Sequence, residues 1–102
     1  TWSTNVLGTL NLLDGLRRAA APRAVLVVTS DKVYRSGRRR RAHREDDPLG
    51  GDDPYSASKI AVEFLIRAYR ASFFPPPVAI ATARAGNVVG GGDFAEDRLV
   101  PD

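Results

Sequence analysis

Two short apolar runs constrain this chain more than anything else in it: "AVLVVTS", Ala24 to Ser30, and "VAIATAR", Val78 to Arg84. Both are rich in β-branched residues and close on polar side chains. A run of this kind, without polar alternation, reads as a strand covered on both faces, as in a parallel sheet packed between helices. Ahead of the first run, Val6, Leu7, Leu10, Leu13 and Leu16 recur at helical spacing and predict a helix from Ser3 to Ala21, stopped by Pro22. Ahead of the second, Asp53 offers an N-cap acid and Pro54 a first helical residue. They predict a helix from Pro54 to about Phe73, with Ala61, Phe64, Leu65, Ala68 and Tyr69 as its buried stripe and "FFPPP" as its end.

The order helix–strand–helix–strand is that of an α/β protein with a doubly wound parallel sheet. In such folds ligands gather beyond the carboxyl ends of the strands. Polar clusters fall there twice, as Ser30-Asp31-Lys32 and as Arg84 to Asn87. Two strands are too few for an independent sheet. The 102 residues are therefore expected to be one piece of a larger domain, with no second domain of their own.

The chain is 43% hydrophobic and 26% charged, the balance of a globular protein. No apolar run approaches the ~20 residues that span a bilayer. The absence of cysteine excludes disulfides and thiolate metal sites and fits a cytoplasmic protein. A single histidine, His43, leaves no basis for a histidine-rich metal site. Residues 31–52 form a long polar connection, a length more often functional than idle. Six arginines between Arg35 and Arg44 hold most of the excess in a net charge of +3. Such a run can meet phosphates or simply face solvent. It has no interleaved aromatic residues on which single-stranded bases would stack, so nucleic acid is not expected as a partner.

Tyr55 and Lys59 are four residues apart near a helix start, which places them on one side of that helix. A phenol in isolation titrates near ~10. A neighbouring ammonium and the positive end of a helix dipole both favour its anion. A tyrosine in that setting can take the proton of a sugar hydroxyl while hydride leaves the same carbon. A strand-end hydroxyl such as that of Ser30 can hold the oxygen as it becomes a carbonyl.

The segments "NVLGTLNLL", "TSDKVY", "DPYSASK" and, most specifically, "RAGNVVGGGDFAEDRLVPD" resemble the extended short-chain dehydrogenase/reductases that act on nucleotide sugars. Within that family they are similar to the CDP-glucose 4,6-dehydratase branch, and the likeness runs over nearly the whole chain. The resemblance implies an incomplete Rossmann fold, the central and catalytic portion of an NAD-binding domain. The amino-terminal glycine-rich unit and the carboxyl-terminal substrate domain would lie outside these residues. It implies a tightly held NAD and CDP-glucose as substrate. Tyr55 and Lys59 would be the catalytic pair, with Lys59 also on the nicotinamide ribose, and Ser30 would bond the C4 oxygen. Hydride would pass from C4 to NAD, water would leave across C5 and C6, and hydride would return to C6. Asp31 would protonate the departing C6 hydroxyl and Lys32 would assist removal of the C5 proton. Thymidine-linked relatives carry Glu at the Lys32 position.

The same likeness implies that Asn87 contacts the sugar diphosphate, that Arg98 lies near the nucleotide, and that Asn5 has a structural or water-holding role. The helices at 3–21 and 54–73 would form a homodimer interface. Gly90 to Gly92 either let backbone approach a phosphate or make a tight turn. "RSGRRRRAH" stands where relatives carry an aromatic-rich segment. Two other readings stay open: an epimerase or reductase of the same family, and a non-catalytic remnant that at most pairs with another subunit. The chain alone is expected to bind NAD poorly and not to turn over.

Overall fold

A computed structural model describes residues 1–19, 22–38, 41–92 and 94–96. The chain opens with a turn of π-helix, Ser3–Leu7, which runs directly into helix α1, Gly8–Arg18. In the wide π turn the Asn5 carbonyl accepts the hydroxyl of Thr9 at 2.6 Å, a side-chain bond taking over at the join between the two helical forms. Leu13 is fully buried, and Val6, Leu10 and Leu16 lie against the same core. Leu7, the remaining member of the expected row, is exposed. Helix α1 stops at Arg18, short of the expected Ala21, because Ala19 has already turned to extended backbone to lead the chain back toward the sheet. Ala20 and Ala21 lie outside the described residues.

Strands β1, Ala24–Val28, and β2, Ala79–Ala83, pair in parallel with Ala24 opposite Ala79 and Val28 opposite Ala83. The crossover between them carries helix α2, Pro54–Ser72. Val25, Val27 and Ile80 meet Leu13 of α1 and Val62, Ile66 and Tyr69 of α2 in one core, closed at the end of α2 by Phe74. Among the described residues the strands are covered on one face only. Leu26 is 66% and Val28 57% exposed, because both helices contribute to the core on the Val25 side and no described element lies over the other.

Helix α2 begins where its chemistry places it. The Asp53 carboxylate accepts the backbone N–H of Ser56 at 3.0 Å and the Ser56 hydroxyl as well, and Pro54 occupies the first turn. These bonds hold the Asp53 carboxyl below its usual range. The buried row is Ser58, Val62, Ile66 and Tyr69, with Leu65 beside it, and not the expected stripe through Ala61, Phe64 and Ala68. Phe64 is 57% exposed and Ala68 is exposed. Both rows obey helical spacing and both are mainly apolar, and they differ by a rotation of one residue; periodicity alone does not choose between them.

The long polar connection is tied down at its base. After a 3-10 turn at Asp31–Val33, Tyr34 forms an antiparallel bridge with Leu49. The Arg35 N–H donates to the Pro48 carbonyl at 3.0 Å and the Gly50 N–H to the Val33 carbonyl at 2.9 Å. Within the loop, the buried Asp47 accepts two guanidinium bonds from Arg41, at 2.7 and 3.1 Å, and the backbone N–H of Arg44 at 2.8 Å. Gly51 then delivers the chain to α2. A Cβ at this position would overlap the side chain of Ser56, so only glycine lets the loop pass this close to the helix.

Candidate active site

The parallel pairing continues past the last residues of β1. The Thr29 N–H donates to the Ala83 carbonyl at 2.8 Å and the Asp31 N–H to the Ala85 carbonyl at 2.9 Å. Ser30, between them, is buried. Its hydroxyl accepts the Lys32 N–H at 3.2 Å, capping the 3-10 turn, and lies 3.3 Å from Asp31 Oδ1. This turn pushes Asp31 and Lys32 outward, and both side chains are exposed. Gly86, opposite, leaves open the space beside the Asp31 carboxylate: a Cβ there would sit 3.5 Å from Asp31 Oδ2.

Tyr55, in the first turn of α2, faces this turn. Tyr55 is 41% exposed, and two ammonium groups approach its ring, with Lys32 Nζ and Lys59 Nζ each 5.9 Å from the centroid. Lys59 reaches it along the helix, as its spacing predicts; Lys32 reaches it from the strand end. The helix is held in this position from behind. Ser58 is fully buried, donates to the Tyr55 carbonyl at 2.7 Å, and accepts the Asn5 amide at 3.0 Å. Asn5 thus has a structural role in this chain, tying the π turn to α2 beside Lys59.

Lys32 and Asp31 also border a cleft of about 380 Å3, walled by Tyr34, Arg35 and His43 on the loop side and by Asp52, Asp53 and Ser56 on the helix side. Tyr34 and His43 stack face to face, 4.2 Å between centroids with planes 5° apart. The structure therefore brings Asp31, Lys32, Tyr55 and Lys59 together, with Ser30 behind them capping its turn. Asn87 stands exposed in the segment after β2, one residue beyond Gly86. Gly92 adopts a positive φ of 85°, in keeping with a turn. Arg98 lies outside the described residues.

One cluster was not foreseen. Glu63 is only 8% exposed, and its carboxylate accepts from the hydroxyls of Thr29 and Thr82 and from two nitrogens of Arg84, at 3.1 and 3.2 Å. Burial pushes this carboxyl up, but the bonds from Arg84, Thr29 and Thr82 outweigh it and hold Glu63 below its ordinary range. The bond to Glu63 holds Arg84 firmly protonated. The sequence did hold a signal for this pair: one carboxylate inside an apolar helical stretch and one arginine closing an apolar strand.

As a possible seat for a nicotinamide cofactor, these residues fit one end only. Tyr55 offers a hydroxyl and Lys59 an ammonium on one side of α2, the donors that a ribose and a reacting oxygen require. A G-x-G-x-x-G loop for the pyrophosphate is not present in the 102 residues. Among the described residues no cluster of acids or histidine has the makings of a metal site. No helix among them is long and apolar enough to cross a membrane.

The family model described as NAD dependent epimerase/dehydratase matches residues 1–102. CDP-glucose 4,6-dehydratase of Salmonella typhimurium is 47% identical over 108 residues, which take in all of this chain and 30% of that protein. The structure of RMD from Pseudomonas aeruginosa complexed with NADPH matches with a TM-score of 0.78 at 29% identity, over 91% of this chain and 31% of that one. UDP-glucuronic acid 4-epimerase from Bacillus cereus, solved with UDP-glucuronic acid and NAD, matches with a TM-score of 0.66 at 25% identity, over 80% of this chain and 24% of that one. The chain thus spans under a third of the length of the proteins it matches.

Proposed function

Because this chain belongs to the NAD dependent epimerase/dehydratase family, we propose that it is the central, catalytic portion of a nucleotide-sugar 4,6-dehydratase that takes CDP-glucose. The observation that carries the reading is the meeting of two proton-handling groups at one place. Tyr55, flanked by Lys32 and Lys59 at 5.9 Å each, serves oxidation at C4; Asp31 and Lys32, on the adjoining turn, serve loss of water from C5 and C6. An epimerase or a simple reductase has use for the first group but not for the second.

In this reading the Tyr55 oxygen, as the phenolate, takes the proton from the C4 hydroxyl and becomes the phenol, and Lys59 would hold the ribose of the cofactor and keep a positive charge beside that oxygen. NAD, held at this end by Tyr55 and Lys59, would supply the acceptor for the C4 hydride and the source of the hydride that ends on C6. The ketone at C4 acidifies the C5 proton, which Lys32 helps to remove as Asp31 protonates the C6 hydroxyl that leaves as water. Each group then has a task that its position allows: Asp31 and Lys32 are exposed and free to meet a sugar, and Ser30 behind them fixes the turn that aims them. Asn87 and Arg98 belong to the same proposal as contacts of the nucleotide diphosphate. A homodimer through the helical segments 3–21 and 54–73 belongs to it too, supported by the exposure of Leu7, Leu12 and Phe64.

A second reading is a remnant without activity that at most pairs with another subunit; the exposed sheet face at Leu26 and Val28 accords with either reading. The deciding experiment grafts this segment into the Salmonella relative in place of the stretch it matches. The product is incubated with NAD and CDP-glucose, and the sugar nucleotide is weighed by mass spectrometry. Loss of one water without net change in NAD supports the dehydratase. An unchanged mass from a folded graft that binds NAD rules it out and turns attention to epimerisation or to a silent scaffold.

A further inference from the structure

Glu63 raises a question of physics before one of function. An apolar side chain at that position would join the core without the cost of bringing a carboxylate out of water, and buried ion pairs contribute little net stability compared with apolar packing. What the pair does supply is direction. Two threonines, one at the end of each strand, and the fork of Arg84 together fix the carboxylate. The guanidinium is thereby fixed as well, with its remaining nitrogen turned away from the core.

That nitrogen, Nη1, donates to the carbonyl of Glu45 in the basic loop at 2.9 Å. The guanidinium carbon lies 4.9 Å from the centre of the Tyr34 ring, and Tyr34 in turn stacks on His43. Beyond them Asp47 gathers Arg41, the N–H of Arg44 and, at 3.6 Å, His43. One guanidinium therefore joins the core carboxylate on one side to the loop on the other, and Tyr34 and His43 are the part of that loop that walls the cleft beside Asp31 and Lys32.

We infer that Arg84 is a positioning residue: anchored to the core by Glu63, it holds Tyr34, His43 and the Glu45 backbone as the fixed wall of the cleft over Asp31 and Lys32. The catalytic meaning of that wall rests on the dehydratase reading; its mechanical origin does not. An ammonium in place of the guanidinium can meet Glu63 but cannot also span to the Glu45 carbonyl and present a flat face to Tyr34.

The test measures hydrogen exchange by mass spectrometry in the graft, comparing a loop peptide covering 35–47 with an α2 peptide covering 54–72. Arg84→Lys and Tyr34→Ala should each speed exchange in the loop by about tenfold, as expected for opening of a segment that has lost one anchoring contact. Exchange in α2 should be unchanged in Tyr34→Ala, where Glu63 and Arg84 keep each other. Tyr34→Phe, which retains the ring, should restore loop protection. In Arg84→Lys and Tyr34→Ala, KM for the sugar nucleotide should rise while NAD affinity stays constant. Unchanged loop exchange in Tyr34→Ala would overturn the inference, as would equal loosening of loop and helix in that variant. Exchange is read without turnover, so a graft that fails to release water would sink the dehydratase reading and still leave the role of Arg84 decided.

Discussion

The Asn5 amide donates to the Ser58 hydroxyl at 3.0 Å, and Ser58 passes a bond of 2.7 Å to the carbonyl of Tyr55. Two segments 53 residues apart in sequence are thus joined one residue before Lys59. Ser58→Ala should leave the partly buried Asn5 amide without its acceptor and cost about 1–3 kcal/mol, whereas Asn5→Ala, which spares the bond to Tyr55, should cost about 1 kcal/mol. Urea midpoints at constant slope would give both values. Equal midpoints for Ser58→Ala and the unmodified protein would mean that water replaces the bond without loss.

Glu63 should make stability sensitive to acid in a defined direction. Its carboxyl is held below the ordinary value of 4.5 because the bonds from Arg84 and the two threonines outweigh burial. A group depressed by folding stabilises fully above its unfolded pKa, and that stabilisation is lost as pH falls through the folded value. Glu63 should therefore contribute a constant amount from neutrality to about pH 5 and a falling amount below it. Glu63→Gln should lower the neutral midpoint and also flatten the decline in acid. Parallel acid limbs in the two proteins would assign the decline to other carboxylates.

Tyr55→Phe in the graft should lower kcat by about 10²–10⁴-fold while leaving substrate binding largely intact, as expected when a general base is removed. Lys32→Ala should act later in the cycle. Oxidation at C4 should then outrun loss of water, seen as a build-up of reduced-nicotinamide absorbance that the unmodified graft does not show. If Lys32→Ala slowed oxidation and dehydration alike, Lys32 would belong with Tyr55 and not with the elimination.

Gly51→Ala should be far more damaging than its exposure suggests. The new methyl group meets the Ser56 side chain and the backbone at the start of α2, so the helix start must shift. A cost of about 1–3 kcal/mol is expected from such overpacking. Turnover should fall along with the melting temperature, because Tyr55 lies in the displaced turn. An alanine variant with normal stability would show that the loop, not the helix, yields.

Much of the fold was legible because its signals are local. Asp53 and Pro54 declare a helix start by their own chemistry, and the apolar runs before Ser30 and Arg84 have the length and branching of strands. Packing was less legible. Two neighbouring rows on α2 are apolar, and the choice of Val62 and Ile66 over Phe64 and Ala68 depends on where the sheet lies. The alignment of Tyr55 with Lys59 followed from helical spacing, but the approach of Lys32 from the strand end needed the folded turn. Glu63 and Arg84 lie 21 positions apart, and no spacing rule links a helix carboxylate to a guanidinium at a strand end. The loop between Tyr34 and Leu49 looked merely charged because the one acid that organises it, Asp47, is one among several in its stretch of sequence.

The pairing of β1 with β2 also sets an order of events in time. Each residue in this sheet meets a partner about 55 positions along the chain. Closing so long a span has an entropic cost that is not recovered until the intervening helix has formed and its apolar row is ready to receive Val25, Val27 and Ile80. Helix α2, with its own cap and its own stop, can assemble from neighbouring residues alone. By this argument the sheet is expected to form after α2, and the Asp31–Lys32 turn, set by bonds between the two strand ends, with it.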